Sequence, residues 1–243
     1  MVADTLRAKS DKTKSEVAIP LLTSTVATLR ARVLAGAYRD GILPPQRELC
    51  EELGVSRSVI REAMGQLQSQ RLIEISQGAP ARVLPVGSAA MADSLGDFMQ
   101  RTDASLTQLC EVRLSLEAEI ASLAAERIDD ENLLKLHIAV RRLREAATID
   151  AQVEADVEFH RVLAEATGNP VFVFLLDALG ELLRKSRRRT IGRGGVEPAL
   201  AGHVAVLQAV QKRNAKAARA AMIEHVQASL HDLARAEKAD SRR

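Results

Sequence analysis

From Leu21 the apolar positions recur at helical spacing. Leu22, Val26, Leu29, Val33 and Leu34 mark the inward face of a predicted helix that ends at Gly36, followed by a turn through Tyr38, Arg39, Asp40 and Gly41. Pro44 and Pro45 introduce a short second helix over Gln46–Leu53. Gly54 and Val55 then break the chain before a third helix, from Ser56 to about Gln70, with Val55, Val59, Ile60, Ala63, Met64 and Leu67 on its apolar face. Ser56 suits the N-cap, because its hydroxyl can accept an otherwise unpaired backbone N–H. Two helices joined by so short a break predict a helix-turn-helix. Past Arg71 the period becomes alternating: Leu72, Ile73 and Ile75, then Ala81, Val83 and Leu84, bracket Gln77, Gly78 and Pro80 and predict a two-stranded wing.

Pro85, Gly87 and Ser88 read as a linker, and the rest of the chain reads as six or seven helices broken at Asp129 and Asp130, at Gly168-Asn169-Pro170, and between Gly192 and Pro198. The expected organisation is a polar arm over 1–18, a winged helix-turn-helix over 19–85, a linker over 86–90, and an all-helical antiparallel bundle over 91–238. The fold class expected is therefore mostly α. No repeat of fixed period appears.

Composition agrees with helix. Only 2% of residues are aromatic and none is Trp, while 47% are apolar, enough for a packed core. The net charge of +2 is too small to argue for a nucleic-acid partner by itself, and residues 1–85 hold 12 Lys+Arg against 9 Asp+Glu. Cys50 and Cys110 have no metal-binding or redox spacing and read as small core residues of a reduced protein. The N-terminus lacks a signal-peptide pattern and no segment has the apolar length of a membrane span, so the expected location is cytoplasmic with no membrane partner.

Chemistry concentrates in two places. Arg57 and Arg61 lie one turn apart at the start of the third helix, where a helix-turn-helix enters the major groove, and the planar fork of arginine can bond guanine O6 and N7 together. Ser56 and Ser58 are candidate phosphate contacts, as is Arg47 at the start of the second helix. An exposed charged helix without a partner is the alternative for any one of these residues. The conjunction of two helices, a tight break and a wing favours DNA. The second concentration is Asp156 and His160, spaced i,i+4, with His203 and His225 on two further helices. Asp156 and His160 share a stripe with Val153 and Leu163, and His203 shares one with Leu200, Leu207 and Val210, so these groups point into the bundle. A single inward histidine is more often a packed core residue. Three with a carboxylate call for a shared metal ion, since burying that many unpaired polar groups costs several kcal/mol. His137 and His231 fall outside this set. The run RKSRRR at 184–189 reads as a solvated helix end before Gly192, with room for one inward member to touch a ligand.

The segment ILPPQRELCEELGVSRSVIREAMGQLQSQRLIEI resembles the N-terminal domain of the GntR family of regulators, through Leu43, Pro44, Arg47, Glu48, Leu49, Val55, Ser56, Arg57, Arg61, Glu62 and Ala63. It departs from the family at YRDGILP, which lacks the usual Pro-Gly, and at QGAPA, which replaces a Gly-rich wing tip. By resemblance Gln77 and Gly78 contact the minor groove or phosphates. ADVEFHRVLAEATGNPVF, HVAVLQAV and MIEHV resemble the FCD effector domain of the FadR-type subfamily. That resemblance implies a divalent ion, zinc first with nickel or manganese as alternatives, on Asp156, His160, His203 and His225. It also implies a carboxylate-binding role for Arg113, which shares a stripe with Leu106, Leu109, Leu116 and Ile120; a buried ion pair from Arg113 to Glu117 is the alternative. The expected protein is a homodimeric, ligand-responsive transcription regulator, a repressor of a metabolic operon. It binds a palindromic operator, answers to a small carboxylate metabolite, and has no catalytic residues. A metal-dependent hydrolase with an incidental N-terminal domain is the rival from another class, though no HExxH, nucleophile elbow or phosphate loop is present. A metal-free regulator sensing a longer acyl ligand is the third reading.

Overall fold

The computed structural model describes residues 21–240, without the side chains of 185, 186, 189, 190, 193, 194 and 236–240. The arm expected over 1–18 lies outside the described residues. Two compact units divide the chain, one ending at Val86 and the other beginning at Gly87.

In the first unit helix α1 (21–34) buries Leu29 and Val33, with Leu22 and Val26 partly covered. Leu34 is exposed, against the sequence expectation. It stands five residues from Leu29, well round the helix from the stripe that Leu29 and Val33 share. A single 3₁₀ turn, Arg39–Gly41, follows. Helix α2 (Gln46–Leu53) ends at Gly54, whose φ of 64° lets the Val55 N–H reach back to the Cys50 carbonyl at 3.2 Å. Ser56 caps helix α3 (Arg57–Ser69), accepting the Val59 N–H at 3.4 Å. Ile60, Ala63, Met64 and Leu67 bury the inner face of α3 against Leu29, Leu43 and Leu49. The wing is shorter than the alternation suggests: β1 (Ile73–Glu74) pairs antiparallel with β2 (Arg82–Val83), Ile73 opposite Val83. An Ile42–Arg82 bridge and a bond from the Leu43 N–H to the Ala81 carbonyl at 2.9 Å fasten the wing to the segment before α2.

The second unit is all helix among the described residues: α4 (Ala89–Thr102), α5 (Leu106–Arg127), α6 (Asp130–Glu145), α7 (Ile149–Ala166), α8 (Pro170–Gly194), α9 (Glu197–Gln211) and α10 (Ala215–Asp240). Helix α4 begins within the linker expected over 86–90. Local chemistry fixes the starts. Ser105 and Gln108 form a capping box, Asp129 accepts the Asn132 N–H at 2.7 Å, Thr148 accepts that of Ala151 at 3.2 Å, and Asn169 accepts that of Val171 at 3.0 Å ahead of Pro170. Gly192 does not end α8. The helix runs to Gly194 and stops at Gly195, where a φ of 78° is open to glycine at little cost. Helix α5 packs along α10, and α7 packs on α5, α6 and α8. Leu136, Leu143, Phe159, Leu163 and Leu183 are among the largest side chains enclosed there.

Leu134 and Leu136 offer an internal comparison, being 61% and 0% exposed on the same helix. Leu136→Ala is expected to destabilise the protein by about 2–5 kcal/mol through the cavity it leaves, and Leu134→Ala by less than about 0.5 kcal/mol. Urea denaturation followed by circular dichroism compares them. Similar midpoints for the two variants would contradict this account of the core.

Candidate metal centre and nucleic-acid interface

Amphipathic α3 turns its apolar face inward and leaves Arg57, Ser58 and Arg61 exposed on the other. The Ser56 hydroxyl lies 2.8 Å from that of Ser58, so the cap and the first turn form one polar cluster. Arg47 is exposed at the start of α2 and pairs loosely with Glu51 at 3.2 Å. Gln77 and Gly78 are exposed at the wing tip, and Gly78 has a φ of 76°. All seven residues read from the sequence as DNA contacts lie in the first unit.

In the second unit α7, α9 and α10 bring Asp156, His160, His203 and His225 together, all buried, with donor atoms within 4.8 Å of one another. His160 Nε2 lies 3.3 Å from the Nε2 of both His203 and His225, and Asp156 Oδ1 lies 3.3 Å from His203 Nε2 and 4.0 Å from His160 Nε2. Zinc bonds to nitrogen and oxygen of about 2.0–2.2 Å set neighbouring donors about 3.0–3.5 Å apart at angles between octahedral and tetrahedral. The three separations of 3.3 Å have that spacing, and the 4.0 Å between Asp156 and His160 is wider. Hydrogen bonding alone does not account for it, because three neighbours converge on the one lone pair of His160 Nε2: the two imidazoles and Arg113 Nη2 at 2.9 Å. His203 stacks on Phe159 with ring centroids 4.1 Å apart.

Glu117, one turn after Arg113 on α5, accepts a hydrogen bond from the Arg113 guanidinium and sets its other oxygen against His160 Nδ1. The ion pair weighed as the alternative for Arg113 is therefore present. A carboxylate beside Nδ1 favours the tautomer that leaves Nε2 free toward the cluster, as in a metal-ligating histidine backed by a carboxylate. Arg187 on α8 is buried and paired with Asp156, making it an inward member of RKSRRR. Arg184 and Arg188 instead pair at the surface with Glu154 and Asp150. Helical phase marks Arg187 in the sequence, four residues from both Leu183 and Ile191. Glu117 carries no such mark toward His160, since that contact spans two helices. His137 and His231 are exposed, outside the cluster.

Burial alone would raise the Glu117 carboxyl, but Arg113 and His160 outweigh it and hold the group far below the usual carboxylate range. Asp156 is likewise held low against burial, by Arg187 and the histidines. Burial, with help from Arg113, pushes His160 down to about 4, and burial beside the other two imidazoles lowers His225. Ionised carboxylates and neutral imidazoles are the protonation states that metal ligation requires.

A DNA-reading winged helix followed by a helical unit built around four buried donors defines a ligand-sensing transcription regulator. The model of the bacterial regulatory proteins of the gntR family matches residues 22–83, and that of the FCD domain matches residues 108–228. The galactonate operon transcriptional repressor of Escherichia coli is 30% identical over 86% of this chain and 94% of its own length. The HTH-type transcriptional repressor NanR of Cronobacter sakazakii is 33% identical over 76% of this chain and 74% of its own. Among solved structures, Streptococcus agalactiae GntR is 30% identical, with a TM-score of 0.69 over 86% of this chain and 99% of that one. The chain belongs to the GntR family, in its FadR-type subfamily with an FCD domain. Its members, this chain included, are transcription regulators and not enzymes. Among the described residues no helix is long and apolar enough to cross a membrane.

The lowered histidines set a pH dependence. Between the ordinary imidazole value of 6.5 and the His160 value of about 4, the unfolded chain binds protons that the folded chain refuses. The stability of the metal-free protein is expected to be full above about pH 6.5 and to fall as pH drops toward about 4. Urea midpoints of chelator-treated protein across that range check the sign. A midpoint that is flat or rises on acidification would contradict a neutral, buried cluster.

Proposed function

We propose that the protein is a homodimeric repressor of a metabolic operon that binds a palindromic operator and is controlled by a small organic acid bound beside a divalent ion. The observation that carries this reading is one chain holding both an exposed Ser-Arg-x-x-x-Arg first turn on α3 and a buried set of one carboxylate and three imidazoles. On this reading Arg57 and Arg61 contact base edges, Arg47, Ser56 and Ser58 contact phosphates, and Gln77 and Gly78 reach the minor groove or backbone beside the recognition helix. Two copies related by a twofold axis then read two half-sites.

In the second unit Asp156, His160, His203 and His225 hold the ion, and three nitrogens with one oxygen suit zinc, with nickel or manganese as alternatives. A divalent ion there supplies a Lewis-acidic contact for an oxygen of the acid. Glu117 orients His160, and Arg113 offers its guanidinium to the acid's carboxylate. One relative is the repressor of a galactonate operon, and galactonate is a carboxylate, which supports a small organic acid as the class of signal. Occupancy changes operator affinity by the acid's differential affinity for the two states of the protein.

An operator recovered by selection from random duplex DNA permits two tests. Arg57→Ala and Arg61→Ala are each expected to weaken operator binding by roughly 5- to 150-fold without altering the thermal midpoint, as loss of a bidentate base contact implies. Full-affinity binding by both variants would refute the assignment of α3. Elemental analysis is expected to find about one divalent ion per chain in the wild type and none retained by His203→Ala after desalting. A metal-free wild type purified without chelator would refute the centre.

A further inference from the structure

Two buried guanidinium groups face the small cavity beside the histidine cluster. Arg113 comes from α5 and Arg187 from α8, 3% and 8% exposed, and both line a space of about 40 Å³ together with Asp156, Ser229, Leu183 and Ile191. Among the described residues Arg113 pairs with Glu117 and Arg187 with Asp156. The two cations also repel each other: burial and then the Arg113 charge hold Arg187 below the ordinary arginine range. Both carboxylates have further work, since Glu117 sets an oxygen against His160 Nδ1 and Asp156 Oδ1 faces His203.

Charge counting gives this arrangement a direction. Among the described groups Arg113 and Arg187 balance Glu117 and Asp156, so a divalent ion on the four donors leaves two positive charges among them. Uncompensated charge of that size is expensive away from water, and one carboxylate would neutralise only half of it. Guanidinium forks bind carboxylates two bonds at a time, and two forks from different helices suit two carboxylates on one short chain.

We propose that the effector is a short dicarboxylate received by Arg113 at one end and Arg187 at the other, with Arg187 the residue that selects a diacid over a monoacid of equal length. The proposal rests on the reading of this unit as an acid sensor and narrows its ligand class. The space the two guanidiniums line is small, which is why the diacid proposed is a short one.

Thermal-shift titrations of the zinc-loaded full-length protein test it with two matched pairs, butyrate against succinate and 2-hydroxybutyrate against malate. Zinc content is measured after each titration so that chelation is separated from binding. The diacid of each pair is expected to bind at least about 10-fold more tightly, the size of one added charge-assisted contact. Arg187→Gln is expected to erase that preference while leaving monoacid affinity within about 3-fold, and Arg113→Gln to weaken both acids. If Arg187→Gln loses zinc, Arg187→Lys, which keeps the charge without the planar fork, is expected to weaken the diacid more than the monoacid. Equal binding of the paired acids, or a preference that survives substitution of Arg187, would overturn this inference alone. Failure of every acid to bind would overturn the acid-sensor reading with it.

Discussion

The second unit depends on a convergence that water would otherwise oppose: two carboxylates, three imidazoles and two guanidiniums enclosed within one helical bundle. No pair among them closes on itself. Glu117 serves Arg113 and His160, Asp156 serves Arg187 and His203, and His160 Nε2 meets both other imidazoles. A network of this kind ties α5, α7, α8, α9 and α10 together at one point in the bundle.

The surrounding sequence makes room for that point. Gly202 on α9 packs against the His225 ring, and a Cβ there would stand 2.9 Å from His225 Cγ, closer than side chains approach. Only glycine lets α9 and α10 come near enough for His225 to join His160. Ala118, Ala121, Ala124 and Ala125 give α5 a similarly thin inner face, and Phe159 supplies the flat surface on which His203 stacks. The ligand set is thus built as much by small and aromatic neighbours as by the four donors.

Much of this was legible in the sequence, for a physical reason: helical periodicity assigns each residue a face. The α2–α3 break, the Ser56 cap, the wing, and the inward direction of Asp156, His160, His203 and Arg113 all follow from local spacing. Residue type misleads at Leu34 and Gly192, where phase and the better cap at Gly195 decide. Glu117's contact with His160 and Arg187's with Asp156 join helices distant in sequence, and nothing local specifies which carboxylate a buried cation will meet. Within a polar run of five basic residues and Ser186 the hydrophobic contrast disappears as well, and only Leu183 and Ile191 on either side give Arg187 its direction.

The most direct measurement of the central claim is X-ray absorption at the edge of the metal that copurifies with the full-length protein. The account requires three imidazole nitrogens and at least one carboxylate oxygen in the first coordination sphere, at about 2.0–2.2 Å. A sulfur donor, fewer than three imidazoles, or a metal bound only by water and carboxylates would contradict the centre on Asp156, His160, His203 and His225.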